Sequence, residues 1–360
     1  MKVGIITCHD VYNYGSSLQA YALSQHLQDL GAEVQVIDYK PEYIYRLINF
    51  MEVDSPKWQT ALWRKWAYRM RLLPLRLARL PKYVRYKKFN RKYLNLTRKR
   101  FHAEQELCRL SGFDAFICGS DQIWGSVENK CGEDGAFYLS FVKEGKRIAY
   151  AASFGAPEIS EKGEACVKTY LPSFHAISVR ESSGVELLNR YGIDATQVAD
   201  PVFLLEKDLW ERMSRKPKGL PERYVLVYGY DSCTNLEAVS SELTDLPVVS
   251  LKDQRYGGYG PEEFLYMIQN AELVVTSSFH AIAFSLIFEV PFVSVRTGNA
   301  PLFERLRSVL ELTGLEDRIW KPGKQVSLSV DFSQSGAALI RARERSRAFL
   351  KEALYGSEDI

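Results

Sequence analysis

One histidine of the sequence stands where it could move a proton during a reaction. His280 comes shortly after the apolar run 273–276 and opens a stretch typical of a helix, with Ser277, Ser278 and Phe279 between the two. Imidazole exchanges a proton near neutral pH, so a histidine at such a strand-to-helix junction can act as a general acid or base. A structural histidine is the alternative interpretation.

One arginine stands where it could bind an anion. Arg180 directly follows the apolar run 176–179, beside Glu181 and a helix that is predicted to begin near Ser182. A guanidinium at the carboxyl end of a strand can hold a phosphate or carboxylate through two parallel hydrogen bonds. The alternative interpretation is an ion pair between Arg180 and Glu181 or another nearby acid.

The loop after the first apolar run is a second candidate for anion binding. Asn13, Tyr14, Gly15 and Ser16 precede a predicted helix, whose free N–H groups and positive dipole end favour an anion, and Gly15 lets a ligand approach the backbone. A plain turn, with a capping box at Ser16 and Gln19, is the alternative. The G-x-G-x-x-G fingerprint of dinucleotide sites is absent, so NAD is not indicated.

A third polar loop follows the run FDAFIC and contains Ser120, Asp121 and Trp124. A carboxylate such as Asp121 accepts hydrogen bonds from sugar hydroxyls, and an indole such as Trp124 stacks on the face of a pyranose ring. An Asx turn followed by a buried tryptophan is the alternative interpretation.

Alternating strands and helices are predicted to bring these loops together. The chain opens with an apolar strand, an amphipathic helix ended by Gly31 and a second apolar strand, the pattern of a parallel sheet covered by helices. A second series of strands begins at Tyr224. We therefore predict an α/β fold with two Rossmann-like domains facing across a cleft, in which ligands bind at the carboxyl ends of the strands.

The predicted domain limits follow from composition. The first domain is 1–205, the polar stretch 206–222 is a linker, the second domain is 223–332, and a C-terminal helix at 333–360 packs back on the first domain.

The charge of the chain is concentrated in one segment. The formal net charge is only +3 over 360 residues, yet 57–100 contains 16 basic and no acidic residues. This insertion into the first domain is predicted to form two helices broken by Pro74 and Pro81. Basic helices with interspersed Trp and Tyr can lie on an anionic membrane surface. A solvated helical face covering an acidic body is the alternative.

Other classes of protein are disfavoured. The six cysteines (8, 108, 118, 131, 166 and 233) form no C-x-x-C pair and no cluster with histidine, so neither a disulfide framework nor a metal site is expected. No apolar stretch reaches the length of a membrane span, and the first apolar run is too short for a signal peptide, which predicts a cytoplasmic protein.

Taken in order, the motifs resemble the polysaccharide pyruvyl transferase family. The resemblance extends from residue 2 to about 320 and is carried by KVGIITCHDVYNYGSSLQAYAL, FDAFICGSDQIW, RIAYAASFG, ISVRESSGVELL, ATQVADPVFLL and LVVTSSFHAIAFSLIFEVPFVSV. It implies an architecture similar to glycosyltransferases of the two-Rossmann-domain B type.

The resemblance also implies an activity. Such enzymes move the enolpyruvyl unit of phosphoenolpyruvate onto a sugar of a bacterial exopolysaccharide, capsule or cell-wall glycan, commonly as a cyclic ketal. Arg180 would then bind the phosphate or carboxylate of the donor, and His280 would be the general acid or base. No cofactor or metal is required in principle. The acceptor could be linked to a polyprenyl diphosphate, which would place the enzyme at the inner face of the plasma membrane.

The chain departs from the family at the histidine motif. Many members have Arg-Leu-His where this chain has Ser278, Phe279 and His280, so a second substrate-binding arginine is missing there. A lysine that some members supply further along falls on Ala300. The resemblance makes Arg296 the candidate substitute, with Ser277 and Ser278 beside the substrate.

Two other functions are compatible with the sequence. A glycosyltransferase of the same architecture would use a nucleotide sugar in place of phosphoenolpyruvate. A nucleic-acid binder would use the basic helices, but no motif of such a protein accompanies them, and they lie on an insertion away from the strand-end loops.

Overall fold

The structure is a computed structural model that describes residues 1–45, 62–125, 130–229, 235–253, 255–296, 300–323 and 326–356.

Within the described residues, the first part of the chain forms a six-stranded parallel sheet in the order β2-β1-β3-β4-β5-β6. Its strands are β1 (Lys2–Ile6), β2 (Glu33–Val36), β3 (Ala115–Gly119), β4 (Lys146–Ala152), β5 (Ala176–Val179) and β6 (Thr196–Gln197). Val3 of β1 pairs with Val34 on one side and Ala115 on the other. Every residue of β3 is buried, as expected for a central parallel strand covered on both faces.

The second part forms a four-stranded parallel sheet in the order β10-β9-β7-β8. Its strands are β7 (Val225–Tyr228), β8 (Val248–Ser250), β9 (Leu273–Thr276) and β10 (Phe292–Ser294). Two parallel sheets with intervening helices confirm the predicted α/β class. The limits of the two domains stay a prediction.

The helices connect the strands and cover the sheets. They are α1 (Tyr14–Asp29), α2 (Glu42–Tyr45), α3 (Leu62–Tyr93), α4 (Glu104–Leu107), α5 (Glu161–Tyr170), α6 (Ser182–Asn189), α7 (Lys207–Met213), α8 (Leu236–Leu243), α9 (Pro261–Gln269), α10 (Phe279–Phe288), α11 (Ala300–Thr313) and α12 (Ser333–Tyr355). Short 3-10 turns complete the connections. Among the described helices, none combines the length and the apolar composition that crossing a bilayer requires.

Helix α3 differs from its prediction. It is one continuous helix through Pro74 and Pro81, so the two-helix interpretation is wrong. Each proline removes one helical hydrogen bond and frees the carbonyl four residues earlier, at Met70 and Leu77. Both of these residues are exposed, so water can satisfy the freed carbonyls and the helix continues. Residues 57–61 of the predicted insertion lie outside the described residues.

Helix α12 lies against elements of the first sheet. Ser346 Oγ accepts a hydrogen bond from the N–H of Ala199 at 2.9 Å, and Lys146 Nζ donates to the carbonyl of Leu354 at 2.7 Å. The segment predicted as a linker contains helix α7, whose Trp210 is completely buried. Among the described residues, Cys8, Cys108, Cys118 and Cys166 take part in no disulfide bond.

Candidate functional site

The site forms around Asp200, a buried carboxylate that follows β6. Its Oδ2 accepts a hydrogen bond from Ser120 Oγ at 2.9 Å and from Arg180 Nη1 at 2.9 Å, and His280 Nε2 lies 3.7 Å away. These partners follow the carboxyl ends of β3 and β5 in the first sheet and of β9 in the second, so Asp200 connects loops from both sheets. Burial opposes ionisation, but His280 and Arg180 outweigh it and hold the pKa of Asp200 below its usual value.

Arg180 is buried and paired, yet one of its nitrogens is unused. Nε donates to Glu181 Oε1 at 2.9 Å and Nη1 donates to Asp200, so the ion-pair interpretation of the sequence is correct. Burial opposes the positive charge, but the two carboxylates outweigh it and raise the pKa of Arg180. Nη2 is buried and has no hydrogen-bond partner among the described residues. An anion that approaches this nitrogen would satisfy it, so pairing and anion binding are compatible.

His280 lies in the first turn of α10, where the backbone of α1 meets it. The Cα of Gly15 is so near that a Cβ there would lie 1.9 Å from His280 Nδ1. The imidazole is therefore held between Gly15 and Asp200, and Phe279 makes an edge contact with it at 5.2 Å between ring centroids. The carboxylate of Asp200 is placed to stabilise a positive charge on the ring when His280 takes up a proton.

The loop after β3 adds a strained turn to the site. Ser120 and Asp121 both have positive φ, at 30° and 63°, a region that non-glycine residues seldom adopt. Ser16 Oγ donates to Asp121 Oδ2, so this loop is joined to the start of α1. Consecutive strained residues persist only where surrounding contacts fix them, and they occur often at functional sites.

A cavity of about 70 Å³ opens beside Asp200 and has room for several water molecules. Three arginines line it, Arg180, Arg305 of α11 and Arg345 of α12, together with the carboxylates of Glu181 and Asp200 and the polar side chains of Gln197 and Ser308. Arg305 and Arg345 were not predicted from the sequence, because they lie within helices and no strand-end signal marks them. Asp200 was not predicted either, although its position after a short strand and before a proline was an available signal.

Two predicted ligand contacts need correction because the side chains are buried. The Trp124 indole has no exposed surface, stacks on Tyr138 with centroids 5.4 Å apart and donates to the carbonyl of Phe137. Stacking of Trp124 on a sugar is therefore wrong. Tyr14 is also buried, stacked on Phe264 at 4.3 Å, with its hydroxyl donating to the carbonyl of Tyr259. It joins α1 to the segment that leads into α9, and no substrate can reach its ring.

The remaining predicted residues lie around the site in different roles. Asn13 Oδ1 caps α1 by accepting from the N–H groups of Gly15 and Ser16 at 2.9 and 3.4 Å, so these donors are already used. The helix begins at Tyr14, and the capping box predicted at Ser16 is wrong. Ser277 and Ser278 are buried in the turn between β9 and α10.

Arg296 lies apart from these residues. It is exposed and its guanidinium stands 4.6 Å from the ring centroid of Phe303. Across the part of the chain that the structure describes, no contact joins it to Arg180 or His280. The described residues also contain no group of His, Cys, Asp or Glu side chains that could hold a metal ion.

Replacing Asp200 with asparagine should destabilise the protein, because it leaves the Arg180 guanidinium buried with one carboxylate fewer. We expect a loss of about 3 kcal/mol in the free energy of unfolding at pH 7, measured by urea denaturation. Folding lowers the pKa of Asp200 from its usual 3.8, so this stabilisation is complete above that value and is lost as the pH falls below it. The difference between wild type and Asp200→Asn should therefore shrink on acidification. Asp245→Asn, at an exposed position, is the control and should be near neutral; an equal effect there would contradict this account.

Solved structures with a similar chain path have little sequence in common with this protein. A UDP-GlcNAc 2-epimerase from Methanocaldococcus jannaschii is 12% identical, with 96% of this chain and 92% of that chain covered and a TM-score of 0.43. The E. coli heptosyltransferase WaaC is 12% identical, with 96% and 100% covered and a TM-score of 0.38. A UDP-N-acetylglucosamine 2-epimerase from Rickettsia bellii is 10% identical, with 99% and 100% covered and a TM-score of 0.39. At these values we draw nothing from them about function.

The family comparison is more informative. No curated protein matches the sequence significantly. The model of the family described as polysaccharide pyruvyl transferase matches residues 13–299, a range that contains Gly15, Arg180, Asp200 and His280. Because this match covers well over half of the chain, the protein belongs to the polysaccharide pyruvyl transferase family.

Proposed function

We propose that this transferase moves the enolpyruvyl unit of phosphoenolpyruvate onto a saccharide, with release of phosphate and formation of a cyclic ketal. The observation that carries the proposal is the convergence of Arg180 and His280 on Asp200 at the carboxyl ends of the strands. An anion-binding group and a proton-transfer group are the two that this chemistry requires. Proton transfer and anion binding are sufficient for it, so we propose no metal or other cofactor.

In the proposed reaction Arg180 binds the anionic donor and His280 transfers the proton. Protonated His280 gives its proton to the methylene carbon of phosphoenolpyruvate, so that the double bond becomes a methyl group on an oxocarbenium-like carbon. A sugar hydroxyl attacks this carbon and returns its proton to His280. The C–O bond to the phosphate then breaks with its electron pair on the phosphate oxygen, which leaves a second oxocarbenium-like carbon. A second hydroxyl of the same sugar attacks that carbon and gives its proton to the departing phosphate, which closes the ketal.

The donor would use the arginine-lined cavity. Arg180 Nη2 is a buried donor that has no partner among the described residues, and Arg305 and Arg345 add positive charge around the same space. Phosphoenolpyruvate carries a phosphate and a carboxylate, so it offers an acceptor group to more than one arginine. We propose that Arg305, and not Arg296, takes the place of the arginine that is absent from the histidine motif.

The acceptor would use a second, larger groove. It has a volume of about 690 Å³ and lies near the carboxyl ends of β1 and β2. Six cations line it, Lys40, Lys87, Lys88, Arg91, Lys92 and Arg100, together with one carboxylate, Asp10, which pairs with Lys40 and Lys87. Asn90 also lines it, and Asn90 Oδ1 is buried with no hydrogen-bond partner among the described residues. The basic side chains can bind phosphate groups of a ligand, and the amide oxygen of Asn90 can accept a hydrogen bond from a hydroxyl group. We therefore propose a saccharide linked to a polyprenyl diphosphate at the inner face of the plasma membrane.

Thermal denaturation with candidate donors tests the donor assignment. Phosphoenolpyruvate at 100 times its Kd should add about 2.7 kcal/mol to the free energy of unfolding, while UDP- and GDP-sugars should leave the melting temperature unchanged. Arg305→Gln should reduce the shift produced by phosphoenolpyruvate, whereas Arg296→Gln should leave it unchanged. Stabilisation by a nucleotide sugar instead would favour a glycosyltransferase and overturn the proposal.

A further inference from the structure

Helix α3 presents an apolar stripe to solvent. The stripe consists of seven exposed residues whose spacing alternates between three and four: Trp63, Trp66, Met70, Leu73, Leu77, Leu80 and Val84. Their exposed fractions lie between 41% and 67%, high values for large apolar side chains. At a rise of 1.5 Å per residue the stripe is about 32 Å long. We call these seven residues the arm stripe.

The spacing shows that the arm stripe is one continuous surface. Residues three and four apart are neighbours on a helix, and an average spacing of 3.5 keeps all seven side chains on one side over six turns. The opposite side of the same helix is used at its C-terminal end, where Tyr86 and Phe89 are buried against the body of the protein. No element of the described residues covers the arm stripe. A contiguous apolar patch of this length typically marks an interaction site.

The charges on the rest of α3 select the kind of partner. Arg64, Lys65, Arg69 and Arg71 are on α3 outside the stripe, and no acidic residue occurs anywhere in 57–100. Two copies of the helix that paired along the stripe would bring two basic surfaces together without the opposite charges that normally flank such a seam. An anionic lipid surface instead offers negative headgroups to the basic side chains and an apolar layer to the stripe. Tryptophan is also enriched at the interface between lipid and water.

We propose that the arm stripe docks on an anionic lipid surface, with α3 lying parallel to that surface. The groove proposed for the acceptor supports this placement, because Val84, the last residue of the arm stripe, also lines it. Docking would bring the mouth of the groove to the level of the lipid headgroups. The inference stands on the stripe and its charges and does not depend on which donor the enzyme uses.

Vesicle sedimentation of the full chain tests the proposal. Wild-type protein should bind vesicles that contain phosphatidylglycerol at least about tenfold more tightly than vesicles of phosphatidylcholine alone, and high salt should weaken the binding. Leu73→Glu and Leu77→Glu should each weaken it by about tenfold or more. Ile340→Glu is the matched control, because the exposed fraction of Ile340, 52%, lies between those of Leu73 and Leu77, but Ile340 is on α12. This control should bind like wild type.

Three outcomes would overturn the proposal: equal binding to both kinds of vesicle, an equal loss in the Ile340→Glu control, or a dimer that Leu77→Glu dissociates in the absence of lipid. The last would assign the stripe to a second copy of the chain. Circular dichroism and phosphate release with a water-soluble acceptor should be unchanged in the Leu73 and Leu77 variants. These readouts separate a failure of the docking proposal from a failure of the proposed chemistry.

Discussion

Replacing His280 with alanine should lower the rate of phosphate release from phosphoenolpyruvate by about 10²- to 10⁴-fold, the usual contribution of a general acid. The imidazole is the group that we assign to protonation of the methylene carbon, and it is fixed between Gly15 and Asp200. The measurement is kcat for phosphate release at saturating donor and acceptor. Because Arg180, Arg305 and Arg345 are unchanged, the thermal shift produced by phosphoenolpyruvate should persist.

His175 provides the matched control for this variant. It is exposed and lies immediately before β5, at the opposite end of that strand from Arg180. His175→Ala should therefore retain the wild-type rate. Undiminished phosphate release by His280→Ala would remove His280 from the mechanism, and an equal loss in both variants would point to a general effect on folding.

Adding a single methyl group at Gly15 should also disable the enzyme. A Cβ at this position would lie 1.9 Å from His280 Nδ1 and 2.2 Å from its Cγ, whereas carbon atoms in contact are about 3.5 Å apart. In Gly15→Ala the ring must move by more than about 1 Å away from its position beside Asp200. A displacement of this size costs about 10²-fold in rate. We expect kcat to fall by this amount, and the protein to stay folded because the ring is a side chain that can rotate.

Gly336 offers the control for Gly15→Ala. It also lies near the start of a long helix, and a Cβ there would meet no atom within 4 Å. Gly336→Ala should leave the rate unchanged and raise the free energy of unfolding slightly, since alanine favours a helix over glycine. Wild-type activity in Gly15→Ala would show that the position of His280 against Gly15 is not needed for catalysis.

Arg180 and His280 were predicted from the sequence as site residues, whereas Asp200, the carboxylate between them, was not. Arg180 and His280 follow short apolar runs that become parallel strands, and ligands in such folds bind at the carboxyl ends of the strands. The two strands belong to different sheets, so the contact between the two loops depends on how the sheets are arranged. Asp200 was not singled out, although the signal of its position was present in the sequence. Arg305 and Arg345 reach the cavity from α11 and α12, and their position depends on how these helices pack, which no local pattern encodes.

The incorrect predictions for Trp124 and Tyr14 also arise from tertiary packing. Trp124 and Tyr14 occur in polar loops that look exposed in the sequence, yet both are buried by residues from other elements, Tyr138 and Phe264. Local chemistry shows what a side chain can do, and tertiary packing decides whether a ligand can reach it. Helix α3 shows that a strong local signal can also mislead. Pro74 and Pro81 predict a break in the helix, yet this exposed helix tolerates both prolines.

In the proposed reaction the carbon skeleton of phosphoenolpyruvate becomes part of the glycan, and isotope transfer measures this step. Phosphoenolpyruvate labelled with ¹⁴C in its carbon skeleton is incubated with the enzyme and a saccharide linked to a polyprenyl diphosphate. The amount of ¹⁴C incorporated into the glycan is then compared with the amount of phosphate released. The account predicts one labelled unit in the glycan for each phosphate released, and loss of both in His280→Ala. Phosphate release without label in the glycan, or transfer from a nucleotide sugar alone, would contradict it.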